Sequence, residues 1–335
     1  MEFDFFIGID VSKDELDFAV RNTGGFLYHR AIANQPEAIG TFIKELCKIP
    51  GFDLTRAVFC MEHTGIYNNH SLSYLHKRNA HICLEAATQI KNSLGNIRGK
   101  NDKIDAKRIA QYAFDQQKKL SLWSPKREVI QELSSLSVTR LRLISVKKQL
   151  KTPLKEHGLF SSKKIAKQNV TICAHALKAI EADLARADKA IEKIIAADPE
   201  LNRLFDLITS VSGIGKVTAT QIIITTNEFK DIRDPKKFAC YSGVVPFTDD
   251  SGKLKKKPRI SHMANKKVKT LLHMSALVAI QYNADLKRYY ERMVDLEKKN
   301  KMSVINAIRN KLILRIFACV NQNRPYEINY QKALA

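Results

Sequence analysis

Apolar residues at positions 3–9 first alternate and then run together, as in a strand buried on both faces, and a second apolar run covers 16–20. A Gly24-Gly25 turn leads into a third run at 26–33, so the chain is expected to open as an antiparallel meander. Spacing then turns helical over 36–47, with Ile39, Phe42, Ile43 and Leu46 on one face and Pro36 near the first turn. A strand at 56–61, a helix at 67–78 carrying Leu72 and Leu75, a strand at 80–86 and a helix at 104–117 follow. Three strands and then alternating helix and strand is the order of an RNase H-like α/β fold, although a generic α/β sheet shares it.

Beyond this the pattern is helical. Leu177, Ile180, Leu184, Ala187, Ile191 and Ile194 recur at alternating steps of three and four, and Val129, Leu136, Leu143 and Leu150 fall every seventh residue. The two sets predict a long coiled-coil hairpin over 126–198, broken at His157-Gly158, whose seam either packs within the chain or, as expected here, joins a homo-oligomer, a dimer or tetramer. From 201 onward the chain reads as a compact, mostly helical basic domain. The expected division is 1–122, 123–200 and 201–335.

Charge changes the picture more than composition does. The 335 residues are 44% hydrophobic, enough for real cores, but 56 Lys and Arg against 34 Asp and Glu leave a net +22. Residues 1–150 hold 22 basic and 16 acidic side chains, a net +6, and residues 151–335 hold 34 and 18, a net +16. An excess of this size points to a polyanionic partner, nucleic acid, gripped chiefly by the second half. Six cysteines stand singly with no Cys-x-x-Cys pair, which argues against a zinc ribbon or a disulfide framework. The N-terminus lacks a basic signal region and no apolar stretch reaches membrane-spanning length, so a cytoplasmic, nucleoid-associated bacterial protein with no membrane partner is expected.

Acidic residues then supply the chemistry. Asp10 ends one apolar run, Glu62 ends another, and Asp102 and Asp105 share a helix face at spacing i, i+3. Carboxylates at strand ends and on one helix face can converge on hard divalent cations, Mg²⁺ or Mn²⁺, which clamp the oxygens of a phosphodiester. A second candidate is Ser251, next to Gly252 and followed by Lys253, Lys255, Lys256, Lys257 and Arg259. Alone, Ser-Gly in a basic loop is usually a turn. The segment Val211-Ser212-Gly213-Ile214-Gly215-Lys216 has the form of a helix-hairpin-helix turn whose glycines admit a phosphate, or else of a tight helix–helix turn with no ligand.

In order along the chain stand Gly8-Ile9-Asp10-Val11-Ser12-Lys13, Glu62-x-Thr64-Gly65, Lys100-x-Asp102-x-x-Asp105-Ala106, Val211-x-Gly213-Ile214-Gly215-x-x-Thr218-Ala219, and Gly243-x-x-Pro246 followed by Ser251-Gly252. Together they closely resemble the DEDD-type insertion-sequence transposases, the family of the Piv-like DNA invertases and RNA-bridged recombinases. The resemblance runs from Asp10 to the final basic helices. It implies an RNase H-like catalytic domain, a coiled-coil arm and a C-terminal transposase domain. It also implies a metal-holding tetrad of Asp10, Glu62, Asp102 and Asp105, and Ser251 as the nucleophile that links covalently to DNA. Some members are directed by a structured guide RNA, which is expected here as a partner beside DNA.

Departures from the family pattern are local. Ser242 stands where a bulky apolar residue is usual and is read as a packing or turn residue. The expected Ile-Ser-Lys-x-Gly is Ile260-Ser261-His262-Met263-Ala264, which puts one phosphate contact in doubt. His63 follows Glu62 but as a strand neighbour points to the opposite face, and His70 and His81 are read as structural. Tyr67, Tyr112 and Trp123 are read as core or interface aromatics in preference to base-stacking platforms. Two rivals remain: a Holliday-junction or structure-specific nuclease using the tetrad to activate water, and a non-enzymatic nucleic-acid-binding protein with a degenerate RNase H-like fold.

Overall fold

A computed structural model describes residues 2–93, 95, 99, 101–247, 250, 251, 254, 255, 259–261 and 263–327, without the side chains of 250, 251, 254 and 255. The chain divides into two compact units, Met1–Pro125 and Lys126–Ala335.

The first unit is built on a five-stranded sheet. Strands β1 (Phe5–Val11), β2 (Glu15–Asn22) and β3 (Gly25–Ala33) form the antiparallel meander. After α1 (Pro36–Leu46) come β4 (Ala57–Glu62), α2 (Asn69–His76), β5 (His81–Glu85), α3 (Ala87–Ser93) and α4 (Asp102–Asp115). The sheet order is β3-β2-β1-β4-β5, with β4 parallel to β1 and β5 parallel to β4. This is the RNase H-like arrangement, and it puts β1 at the centre. Both faces of β1 are covered, which is why its sequence runs without a polar residue from Phe5 to Ile9. Edge strand β3 is largely half-buried or exposed and carries the polar residues His29 and Arg30. The other edge is closed by the returning chain, where the Trp123 N–H donates to the Ile82 carbonyl at 2.7 Å.

Alternation along the strands sorts two cores. Ile7, Ile9, Phe59 and Met61 pack with Phe42, Ile43 and Leu75 on one face. Phe6, Val58, Cys60 and Cys83 pack with Ile109, Tyr112 and Ala113 of α4 on the other. Helix α4 starts where Asn101 caps it, the side-chain oxygen accepting from the Ile104 N–H at 2.8 Å. The helix expected at 67–78 begins later, at Asn69, because residues 65–68 form a tighter 3₁₀ turn held by Asn68.

The second unit begins with two long helices, α5 (Glu128–Phe160) and α6 (Lys163–Ala197), which form a hairpin. The break expected at His157-Gly158 lies instead at Ser161-Ser162. A lone glycine inside a long helix costs only about 1 kcal/mol, whereas Ser162 caps α6 through Ile165. Leu177, Ile180 and Leu184 are half-buried, and Ala187 and Ile191 are buried. Ile191 joins the unit's own core. Toward the turn, Leu159 and Phe160 are 78% and 87% exposed. Helices α7 (Pro199–Thr209), α8 (Lys216–Thr226), α9 (Pro235–Tyr241), a small hairpin of β6 (Asp250–Ser251) and β7 (Leu254–Lys255), and helices α10 (Lys266–Tyr282), α11 (Ala284–Glu291) and α12 (Lys301–Gln322) complete the unit. Phe238 and Phe317 lie in its core. No described helix is long and apolar enough to cross a membrane.

Candidate active site

The acids collect at one end of the sheet because of a glycine. A Cβ added to Gly8 would lie 2.2 Å from the Ala106 carbonyl oxygen and 2.3 Å from the Ala110 nitrogen. With no side chain in the way, α4 lies close against β1, and Ala19, Ala106 and Ala110 form a small cluster beside it. The first turn of α4, carrying Asp102 and Asp105, is thereby brought to the end of β1 that carries Asp10. Asp10 shares its sheet face with Phe6 and Gly8, and Glu62 shares the same face with Val58 and Cys60.

Electrostatics registers this gathering. The Asp10 carboxyl is raised from 3.8 to about 6, first by burial and then by the negative charges of Asp105, Asp102, Glu62 and Asp17. The charges of the other three proposed tetrad members therefore all reach Asp10. Asp105 also pairs with Arg108 at 2.8 Å, within the same helix. Among the described residues, no three Asp, Glu, His or Cys side chains converge tightly enough to enclose an ion. The donor chemistry nonetheless fits a hard divalent cation: oxygen ligands only, a half-buried central carboxylate and mutual repulsion that a cation relieves.

Two further acids lie in this row and escaped the sequence reading. Glu85 is the register partner of Glu62 on β5. Its Oε2 accepts from the buried Tyr112 hydroxyl at 3.1 Å, and burial together with Glu85 pushes the Tyr112 phenol up. Asp17 is the register partner of Asp10 on β2 and is engaged by His29 Nε2 at 2.6 Å. Glu85 carried the same signal as Asp10 and Glu62, an acid closing an apolar strand. Asp17 is an acid inside a strand buried on both faces.

The neighbouring residues fall into place. His63 is exposed and its N–H donates to the Glu85 carbonyl at 2.9 Å. His70 is exposed, and His81 contacts the Thr55 carbonyl at 3.1 Å. Tyr112 is in the core, and Trp123 packs edge-on against His76. Tyr67 is not in the core: it is 40% exposed, and Ile66 before it is 76% exposed.

In the second unit, Ser251 lies on β6 with Leu254 as its register partner, and its side chain is outside the described residues. So are His262 and the lysines Lys253, Lys256 and Lys257. Phe247 and Arg259 exchange backbone hydrogen bonds of 2.8 and 2.9 Å at the base of this segment. Ser242 is fully buried and its hydroxyl donates to the Ala239 carbonyl at 3.2 Å, so it is a packing residue. Gly243 is left-handed, and a Cβ there would meet that of Ala264 at 2.5 Å. In the 211–216 turn the two glycines divide their roles. Gly213 has φ +92° and abuts the Ser275 carbonyl, where a Cβ would come within 2.6 Å, so it serves helix packing. Gly215 faces open space at the start of α8, and Lys216 beside it pairs with Glu192 at 2.6 Å.

Comparison with known proteins matches both units. Residues 205–291 match the model of the transposase IS116/IS110/IS902 family, and residues 7–157 match the DEDD transposase model of the IS110 type. The pilin gene-inverting protein of Moraxella lacunata is 26% identical over 96% of this chain and 97% of its own. That of Moraxella bovis is 26% identical over 80% of this chain and 78% of its own. The structure of RuvC from Thermus thermophilus aligns with 36% of this chain and 99% of its own, at 13% identity and a TM-score of 0.27.

Proposed function

Because this chain belongs to the IS110-type family of DEDD insertion-sequence transposases, and is thus a DNA-binding enzyme of transposition and recombination, we propose that it cuts and rejoins DNA with metal held by Asp10, Glu62, Asp102 and Asp105 and with Ser251 as the nucleophile. The observation that supports this most is the raised Asp10 carboxyl among three further acids, in a chain of net charge +22. A divalent cation, Mg²⁺ or Mn²⁺, would draw charge from the non-bridging and leaving oxygens of a phosphodiester.

The protein's own residues do the rest. Asp10 and Glu62, at the ends of adjacent strands, fix the site from the sheet, while Asp102 and Asp105 approach it from the start of α4, where the helix dipole favours their charge. Ser251 Oγ attacks phosphorus. Its bond to phosphorus forms as one ester bond of the DNA breaks, the serine proton leaves to a base, and the freed DNA oxygen takes up a proton. One phosphodiester replaces another, so the freed hydroxyl of a second strand can reverse the step without an outside energy source. Three further parts belong to this reading: a structured guide RNA that pairs with DNA, a dimer or tetramer joined through the hairpin, and residence with the nucleoid in the cytoplasm. The hairpin's exposed Leu159 and Phe160 favour the second part.

The test is a denaturing gel of protein incubated with DNA from the ends of its element, copurified RNA and Mg²⁺. Wild type is expected to form a covalent protein–DNA adduct, Ser242→Ala to keep it, and Ser251→Ala and Asp10→Ala to lose it. Cleavage without any adduct would assign the tetrad to water activation, as in a junction nuclease. Sequencing of the copurified RNA tests the guide: a single discrete RNA from the element's flanks supports it, and bulk cellular RNA refutes it.

A further inference from the structure

The turn after Glu62 is built to hold two large side chains out of the protein. Gly65 sits in the left-handed region at φ +77°. Asn68 is 1% exposed and closes the turn: its Oδ1 accepts from the Thr64 N–H at 2.7 Å and the Thr64 hydroxyl at 3.0 Å, and its Nδ2 donates to the Glu62 carbonyl at 2.8 Å. From the other side Asn34, 7% exposed, spends its amide protons on two carbonyls, Ser12 at 2.9 Å and Tyr67 at 3.0 Å. Its own Oδ1 is left buried without a partner. That orphaned oxygen is an unfavourable arrangement, accepted here to tie the turn after Asp10 to the turn after Glu62.

On this fixed backbone Ile66 is 76% exposed and Tyr67 40% exposed. A turn closed by buried amides does not need those side chains for its own stability, and large apolar groups held outward beside a reactive site serve a partner. The neighbouring chemistry selects the partner. Both turns follow directly from the strand ends that carry Asp10 and Glu62, and Lys13 is exposed on the facing turn. A polymer whose phosphate lies at those acids projects its bases sideways, and a base that has lost its stacking partner offers an apolar face to an aromatic ring or an aliphatic wedge.

We propose that Ile66 and Tyr67 form a wedge that takes up an unstacked nucleobase of the DNA strand whose phosphate lies at Asp10 and Glu62, with Tyr67 stacked on the base and Ile66 in the gap it leaves. This rests on the reading of the acids as the DNA-cutting site. It adds a contact that sets strand position, not a catalytic group.

The experiment uses the full chain, a single-stranded oligodeoxynucleotide carrying 5-iododeoxyuridine, and ultraviolet crosslinking with the crosslinked residue located by mass spectrometry. A crosslink at Tyr67 is expected, much weaker when the same strand is fully paired in a duplex. Tyr67→Ala should lose that crosslink and weaken single-strand binding by about five- to 100-fold, Tyr67→Trp should restore binding, and Ile66→Ala should weaken it less. Thermal midpoints of the variants should match wild type, since the side chains are outside the core. Asp10→Asn should keep the Tyr67 crosslink while losing the covalent adduct, so failure of the acid-site reading appears in the adduct alone. No crosslink at Tyr67, equal crosslinking of duplex and single strand, or unchanged affinity of Tyr67→Ala would each overturn the wedge.

Discussion

Gly8 on β1 lies directly beneath Ala106 on α4, with space for a hydrogen but not for a methyl group. That closeness, more than any freedom of the glycine backbone, is why a glycine stands two residues before Asp10. The contact fixes the height of α4 above the sheet, and with it the approach of Asp102 and Asp105 to Asp10.

Gly8→Ala should therefore cost stability and chemistry together. Overpacking against backbone atoms is expected to destabilise the first unit by about 1–3 kcal/mol. At a temperature where the variant is still folded, Mg²⁺-dependent adduct formation should fall at least tenfold. A variant that melts early yet retains full activity when folded would show that the spacing of α4 does not matter to the acids.

The raised Asp10 carboxyl gives metal binding a pH signature. Its folded value, about 6, lies above the unfolded 3.8, so the folded state holds the proton more tightly between these values. The associated stability is full below 3.8 and is lost as pH rises to 6 and beyond, where the charge stands uncompensated. A bound cation should restore it. The rise in thermal midpoint on adding Mg²⁺ or Mn²⁺ is thus expected to be small at pH 5 and larger at pH 8. Asp10→Asn should raise the metal-free midpoint at pH 8 and remove most of the metal effect. An identical metal effect in Asp10→Asn would exclude Asp10 as a ligand.

How far the site could be read in advance depended on whether a residue's signal was local. Asp10 and Glu62 are legible as candidates because each ends an apolar run, and the i, i+3 spacing of Asp102 and Asp105 holds on any helix. Glu85 closes its strand in the same way, but its place beside Glu62 follows from sheet register, which no single segment carries. Tyr67 falls at a position that fits helical periodicity, yet Asn68 captures the chain into a tighter turn and turns the ring outward. The hairpin's length was legible in its repeats, but the break was misplaced because a glycine weighs less than a serine cap.

At the base of the hairpin Arg127 joins three segments. Its guanidinium pairs with Asp198 at 2.7 Å and, through Nε, with Glu228 at 3.0 Å. The Glu228 side chain is 1% exposed, and burial alone would raise its carboxyl, but Arg127 and Lys230 hold it below the usual range. That stability is present above the ordinary glutamate value and is lost as pH falls through the depressed one. Arg127→Ala leaves this carboxylate paired with Lys230, at 2.8 Å. The second unit should lose about 3 kcal/mol, measured by denaturant unfolding at pH 7, and less at pH 4. An equal loss at both values would place the effect in packing of the arginine stem.

Assembly through the hairpin must use residues that the chain does not already bury. Ile191 lies in the core of the second unit and Leu184 is half-buried along α6, so charges there would damage the fold before they tested association. Among the described residues of the hairpin, Leu159 and Phe160 at the turn, with Ile172 on α6 at 69% exposure, are the most exposed large apolar side chains. At micromolar concentration the protein should have at least a dimer's mass by light scattering. Leu159→Asp combined with Phe160→Asp should lower that mass without shifting the thermal midpoint, whereas Ile191→Asp should lower the midpoint itself. If the double variant keeps the wild-type mass, the end of the hairpin is not the joint. If wild type is a monomer with DNA and RNA present, association through the hairpin is wrong altogether.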